Sequence, residues 1–143
     1  MTVLGAGGAA RAVLTAAEAR GSERVDVIAR DAMRGAYLAA EFAVARAVTG
    51  APPPDTELVV NATPVGLRDD AHPLSPDLVP RGAAVLDLTY RPGGTPWVNA
   101  CRSTGHIAAD GTEMLLAQGA LAFERFTGRS ADLDVMRAAL AGR

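Results

Sequence analysis

Gly5, Gly7 and Ala10 fall at G-x-G-x-x-A spacing directly after the short apolar run Val3-Leu4. That pattern serves to bring backbone N–H groups up to a phosphate. Gly5 permits a tight turn, Gly7 lets the backbone approach a pyrophosphate, and Ala10 is small enough for the following helix to lie against the strand. The phosphates would rest on the free N–H groups and positive end of that helix. A strand before the glycines and a helix after them predict a dinucleotide site rather than a mere tight turn.

A second group bears on which nucleotide. In an NAD site an Asp or Glu at the end of the second strand bonds the ribose 2′-hydroxyl. Here the corresponding strand ends Ile28-Ala29-Arg30, with Arg34 one helical turn on. Two guanidiniums at that position suit a 2′-phosphate, through charge and a planar donor fork. The competing reading makes them solvated surface charges. Asp31 would repel a phosphate unless its side chain turns down onto the helix N-terminus as a cap. The arginines predict NADP, and tighter binding of NADH than NADPH would overturn that.

Other reactive residues point to little chemistry of their own. The one cysteine, Cys101, excludes an internal disulfide and a cysteine-based metal cluster. Its helix-like neighbours make it a buried structural thiol rather than a nucleophile. His72 and His106 lack metal-binding spacing, so no metal site is expected. All 14 basic residues are arginines. Any mechanism that needs a lysine therefore cannot be completed by this chain alone.

The elements that must position these groups are legible in the pattern. Strands are expected over 2–4, 24–29, 57–61, 83–88 and 106–109. Helices are expected over 8–20 (ended by Gly21), 31–46, 95–105 and 112–127 (ended by Gly128), with a final helix from a Ser130 cap to about 141. The second helix would carry Met33, Leu38, Phe42 and Val44 on its apolar face, with its end fraying into a short strand near 47–49. Thr95 caps the 95–105 helix, with Pro96 at its first position. The helix over 112–127 reads as strongly amphipathic. Pro52-Pro53-Pro54 is a stiff connection within one domain, and 62–80 is loop with one helical turn at 76–79. Alternating strands and helices with short connections give an α/β fold, Rossmann-like and doubly wound, with a mostly parallel sheet and helices on both faces.

Composition agrees. A chain of 143 residues fits one domain. With 49% apolar residues, 21% charged and a net charge of −2, it offers neither a nucleic-acid surface nor a membrane surface. There is no apolar run of about 18 residues and no signal-peptide pattern, so a cytoplasmic protein is expected.

Five motifs in fixed order carry a family resemblance. They are Gly5-Ala6-Gly7-Gly8-Ala9-Ala10-Arg11-Ala12; Ala29-Arg30-Asp31-Ala32-Met33-Arg34; Asn61-Ala62-Thr63-Pro64-Val65-Gly66; Asp87-Leu88-Thr89-Tyr90-Arg91-Pro92 with Thr95-Pro96; and Asp110-Gly111-Thr112-Glu113-Met114-Leu115-Leu116-Ala117-Gln118. From Val3 to about Leu140 the chain resembles the C-terminal, NADP-binding domain of the shikimate/quinate dehydrogenases. The resemblance implies reversible reduction of 3-dehydroshikimate to shikimate by NADPH. Gly5, Gly7, Gly8 and Ala9 would hold the pyrophosphate, and Arg30 and Arg34 the 2′-phosphate. Asn61, Ala62 and Thr63 would line the adenosine and ribose side, while Leu88, Gly111 and Met114 would pack around the nicotinamide. Tyr90 and Gln118 would reach the substrate. Each has a plainer competitor: a half-buried phenol for Tyr90, an exposed polar position for Gln118, core packing for Met114. The family pattern has Asn at the position of Ala29 and Thr at that of Asp31, which bears on the preference for NADP over NAD.

The family's catalytic Lys and Asp belong to an N-terminal substrate domain, so no catalytic residue is expected in this chain. The expectation is a single NADP-binding domain over 1–143, sharing its substrate with a missing partner domain and turning over poorly alone. Two other readings stay open. One is a stand-alone NAD(P)-binding module with a regulatory or partner-binding role, using an apolar face that also admits a homodimer. The other is a related dehydrogenase, either a quinate/shikimate enzyme using NAD or one acting on another carbocyclic or folate substrate.

Overall fold

The strands are apolar on both sides, which dictates a sheet covered on both faces. Val3 and Val60 pack into one core with Ala10, Leu14 and Leu38, while the adjacent Leu4 and Val59 pack into another with Trp97, Val98 and Cys101. The computed structural model describes residues 1–141. Its strands are β1 (Thr2–Leu4), β2 (Val25–Ile28), β3 (Ala45–Ala47), β4 (Leu58–Asn61), β5 (Ala84–Asp87) and β6 (Ala108–Ala109). All neighbouring pairs are parallel, and the order is β3-β2-β1-β4-β5-β6. This is the doubly wound order, in which the chain reverses direction across the sheet between β1 and β4. Helices α1 (Gly8–Ala19) and α2 (Ala32–Ala39) cover one face, and α3 (Pro96–Ser103) covers the other. Helices α4 (Thr112–Thr127) and α5 (Leu133–Ala141) follow β6. No described helix is long and apolar enough to cross a membrane.

Most expected elements are present within one or two residues, and a single turn of 3-10 helix occupies Pro76–Leu78. Three expectations need correction. The second helix does not run to 46. It stops after Ala39 because the chain must reach β3, which pairs with β2 at Val25–Ala45. The turn between them is held from outside, as the Ala43 N–H donates to Glu18 Oε1 at 3.0 Å. Phe42 and Val44 still pack against the core from that turn, but Met33 is 67% exposed. The last helix is capped by Asp132 rather than Ser130: its Oδ1 accepts from the Asp134 and Val135 N–H groups at 3.0 and 3.1 Å. Finally, α4 buries only Leu116 and leaves Leu121, Phe123 and Phe126 exposed.

Candidate nucleotide-binding site

At the end of β1 the chain turns at Gly5, where φ is +114°, a value L side chains rarely adopt. Space forbids a side chain as well. A Cβ on Gly5 would stand 2.9 Å from the Ala62 carbonyl oxygen and 3.0 Å from Thr63 Cγ2. The loops after β1 and β4 therefore touch across the point where the sheet order reverses. Gly7 follows as the N-cap of α1 and offers no side chain to the helix. The first N–H groups of α1 thus lack a capping acceptor and are free for an anion. At Gly7 and Gly8 a Cβ would meet nothing within 4 Å. Packing inside the protein asks for no glycine there, so the space is available to a ligand. Ala10 lies fully buried against the sheet, as the small residue of the motif requires.

A cleft of about 610 Å³ opens at this point. It gathers Gly5 and Gly7 after β1, Arg30 and Arg34 after β2, and Ala62 and Thr63 after β4. Asp31 behaves as the cap the sequence suggests, its Oδ1 accepting from the Met33 and Arg34 N–H groups at 3.1 Å each. Its Oδ2 lies 3.6 Å from Arg34 Nε, an exposed and therefore weak ion pair. A bound phosphate can compete with such a pair for the guanidinium. His72 also lines the cleft. No spacing signal marked it, because only the folding back of the 67–75 loop brings it there.

The remaining candidates stand elsewhere. Gly8 and Ala9 are exposed on the first turn of α1. Asn61 is fully buried and aims its side chain into the protein: Oδ1 accepts from the Thr63 N–H at 3.0 Å and from Thr63 Oγ1 at 2.7 Å, while Nδ2 donates to Asp87 Oδ1 at 2.8 Å. Leu88, Tyr90, Gly111, Met114 and Gln118 are not among the cleft's lining residues. They cluster instead around the end of β5 and the start of α4. There the Gly111 N–H donates to the Thr89 carbonyl at 2.9 Å, and a Cβ on Gly111 would stand 2.4 Å from the Leu88 carbonyl oxygen. Tyr90 is 43% and Met114 45% exposed, and Gln118 is exposed. Met114 is thus not core packing.

Cys101 is fully buried, and burial together with the nearby Asp87 carboxylate pushes its thiol up to about 11. That is the reverse of an activated nucleophile. The His106 Nδ1 lies 3.0 Å from the Ala83 carbonyl oxygen. A second cleft, about 530 Å³, lies at the opposite end of β5 beside Arg81 and His106, and none of the predicted site residues lines it.

The chain is similar in sequence and fold to known proteins. A family profile described as the Shikimate 5'-dehydrogenase C-terminal domain matches residues 111–141. A shikimate dehydrogenase (NADP(+)) of Thermus thermophilus is 44% identical over 138 residues, which cover 96% of this chain and 52% of that protein. The chain spans about half the length of the curated relatives it matches. The crystal structure of a Thermus thermophilus shikimate 5-dehydrogenase in complex with NADP(H) and shikimate superposes with a TM-score of 0.84 at 43% identity, covering 96% of this chain and 52% of that one. A quinate dehydrogenase from Corynebacterium glutamicum in complex with NAD superposes with a TM-score of 0.86 at 27% identity, covering 99% and 54%.

Proposed function

We propose that this chain, a relative of the shikimate dehydrogenases along nearly its whole length, is the nucleotide-binding half of an NADP-dependent enzyme interconverting 3-dehydroshikimate and shikimate. The observation that carries the proposal is a single cleft holding both an open glycine cradle and two arginines at the end of β2. When bound, NADPH supplies the hydride. The chain's own residues bind and orient it. Gly7, Gly8 and Ala9 present backbone N–H groups to the pyrophosphate, Arg30 and Arg34 hold the 2′-phosphate, and Thr63 lines the ribose side. Leu88, Gly111 and Met114 form the surface for the nicotinamide, and Tyr90 and Gln118 face the substrate. The proton-transferring Lys and Asp come from the part of the relatives that this chain does not match. The absence of any lysine here is in keeping with that division. A cytoplasmic location forms part of the same proposal.

Calorimetric titration with NADP⁺ and, separately, NAD⁺ tests the reading. Tighter binding of NADP⁺ is expected. Tighter binding of NAD⁺ overturns the cofactor assignment, and binding of neither overturns the nucleotide site. One observation favours a second reading, an NAD-using relative of the quinate enzymes: Asp31 stands beside Arg30 and Arg34 with its Oδ2 engaged only by the weak Arg34 pair, where an acid would suit a ribose 2′-hydroxyl.

A further inference from the structure

Asp87 ends β5 fully buried, and among the described residues no basic side chain forms an ion pair with it. Four donors surround it. Its Oδ1 accepts from Asn61 Nδ2 at 2.8 Å, from the Thr89 N–H at 3.0 Å and from Thr89 Oγ1 at 2.8 Å, and its Oδ2 accepts from Thr95 Oγ1 at 2.8 Å. Every one of those partners is buried and commits its segment to a place at the carboxyl end of the sheet. Asn61, held by Asp87, in turn accepts from both the N–H and the hydroxyl of Thr63, which lines the nucleotide cleft. Thr89, held by Asp87, offers its carbonyl to the Gly111 N–H at 2.9 Å and so docks the start of α4. Thr95 caps α3, accepting from the Val98 N–H at 3.3 Å.

A buried carboxylate satisfied only by hydroxyl, amide and backbone donors is expensive unless all its hydrogen bonds are kept. Its value lies in demanding all four at once, which ties the 61–66 loop to the 88–95 loop directly and the 110–112 loop through the Thr89 carbonyl. Two of those loops carry Leu88, Tyr90 and Gly111 and lead into Met114 on the first turn of α4, and the third carries Thr63.

We infer that Asp87 is a positioning residue: its carboxylate sets the 61–66, 88–95 and 110–112 loops relative to one another, and so orients the nicotinamide-side surface without touching the nucleotide. The inference rests on the nucleotide-binding reading above and adds to it a residue whose effect falls mainly on the nicotinamide end of the ligand. Asp87→Asn keeps the shape, with its amide facing Thr95 Oγ1 and its carbonyl still accepting from Thr89. It removes the charge that draws the donors in. Thr89→Val is the second variant, deleting one hydrogen bond to the carboxylate while keeping the side-chain volume.

Two readouts are needed. Hydrogen–deuterium exchange reports the loops without any ligand. Titrations with NADPH and with adenosine 2′,5′-bisphosphate, which lacks the nicotinamide, report the two ends of the site. For Asp87→Asn we expect faster exchange in all three loops with β2 and α1 unchanged. NADPH should bind about tenfold more weakly and the bisphosphate, which meets only the Thr63 loop, about twofold more weakly, and Thr89→Val should show the same pattern more mildly. Faster exchange confined to 87–89, or equal weakening of both ligands, overturns the inference while leaving the nucleotide site standing. Failure of the unaltered chain to bind either ligand overturns both.

Discussion

At the scale of single residues, glycines of different motifs do different work, and substitution separates them. Gly7→Ala places its methyl in open space at an ordinary φ of −102°, so the melting temperature should hold while dinucleotide affinity falls. Gly111→Ala drives a methyl to within 2.4 Å of the Leu88 carbonyl oxygen, an overpacking expected to cost about 1–3 kcal/mol in denaturant unfolding. Arg30→Gln and Arg34→Gln should each weaken NADP⁺ about tenfold or more and leave NAD⁺ unaffected, since a charged hydrogen bond to a phosphate is worth about 1.5–3 kcal/mol. Equal losses for both nucleotides in calorimetry would show the arginines to be surface charges. The Cys101 thiol, pushed to about 11 from an ordinary 9.0, gives a pH dependence of defined sign. Between those values the unfolded chain sheds a proton that the folded chain retains. Stability should therefore fall as pH rises past 9, and Cys101→Ala should abolish that component of the slope in urea melts.

At the scale of elements, α5 depends on few supports. It packs on α4 where Gly119 leaves room for Met136, and the Arg137 guanidinium grips the Glu113 carboxylate at 3.0 and 3.3 Å. That hydrogen bond, with the charge behind it, holds the Glu113 carboxyl below its ordinary 4.5. A depressed carboxyl stabilises the contact above 4.5, and the contribution disappears as pH falls through the folded-state value. Acidification below 4.5 should loosen α5 from α4 in amide NMR spectra, and Arg137→Ala should remove that titration. Asp132→Ala, which deletes the cap of α5, should cost about 1 kcal/mol, whereas Ser130→Ala should cost almost nothing. The second helix gives the opposite lesson. Its apolar spacing continues to Val44, but β2 needs a parallel neighbour, and the buried Asp26 carboxylate on β2 is engaged by Arg46 on β3. Pairing with the sheet outweighs continued helix.

At the scale of the whole molecule, the Rossmann-like unit satisfies itself and the α4–α5 pair does not. Leu121, Phe126, Leu133 and Val135 are 62%, 88%, 45% and 65% exposed. On the proposed function this surface meets the part of the relatives that the chain does not match. The chain by itself should bind NADP(H) without detectable shikimate turnover, and turnover by the purified chain would overturn the proposal. Self-association through the same surface is expected in sedimentation. A monomer mass independent of concentration would argue against it.

The sequence by itself determined the αβ alternation, the turn at Gly5, and the caps at Asp31 and Thr95. All of these rest on contacts within a few residues, where spacing and side-chain size are decisive. Tertiary structure decided the rest. It set the strand order that brings Arg30 and Thr63 to one cleft, and the early stop of α2. It turned Asn61 inward, exposed the face of α4, and gave Asp87 its four donors from segments up to 26 residues away. Those outcomes depend on which distant groups become neighbours once both faces of the sheet are covered. Local pattern carries no record of that.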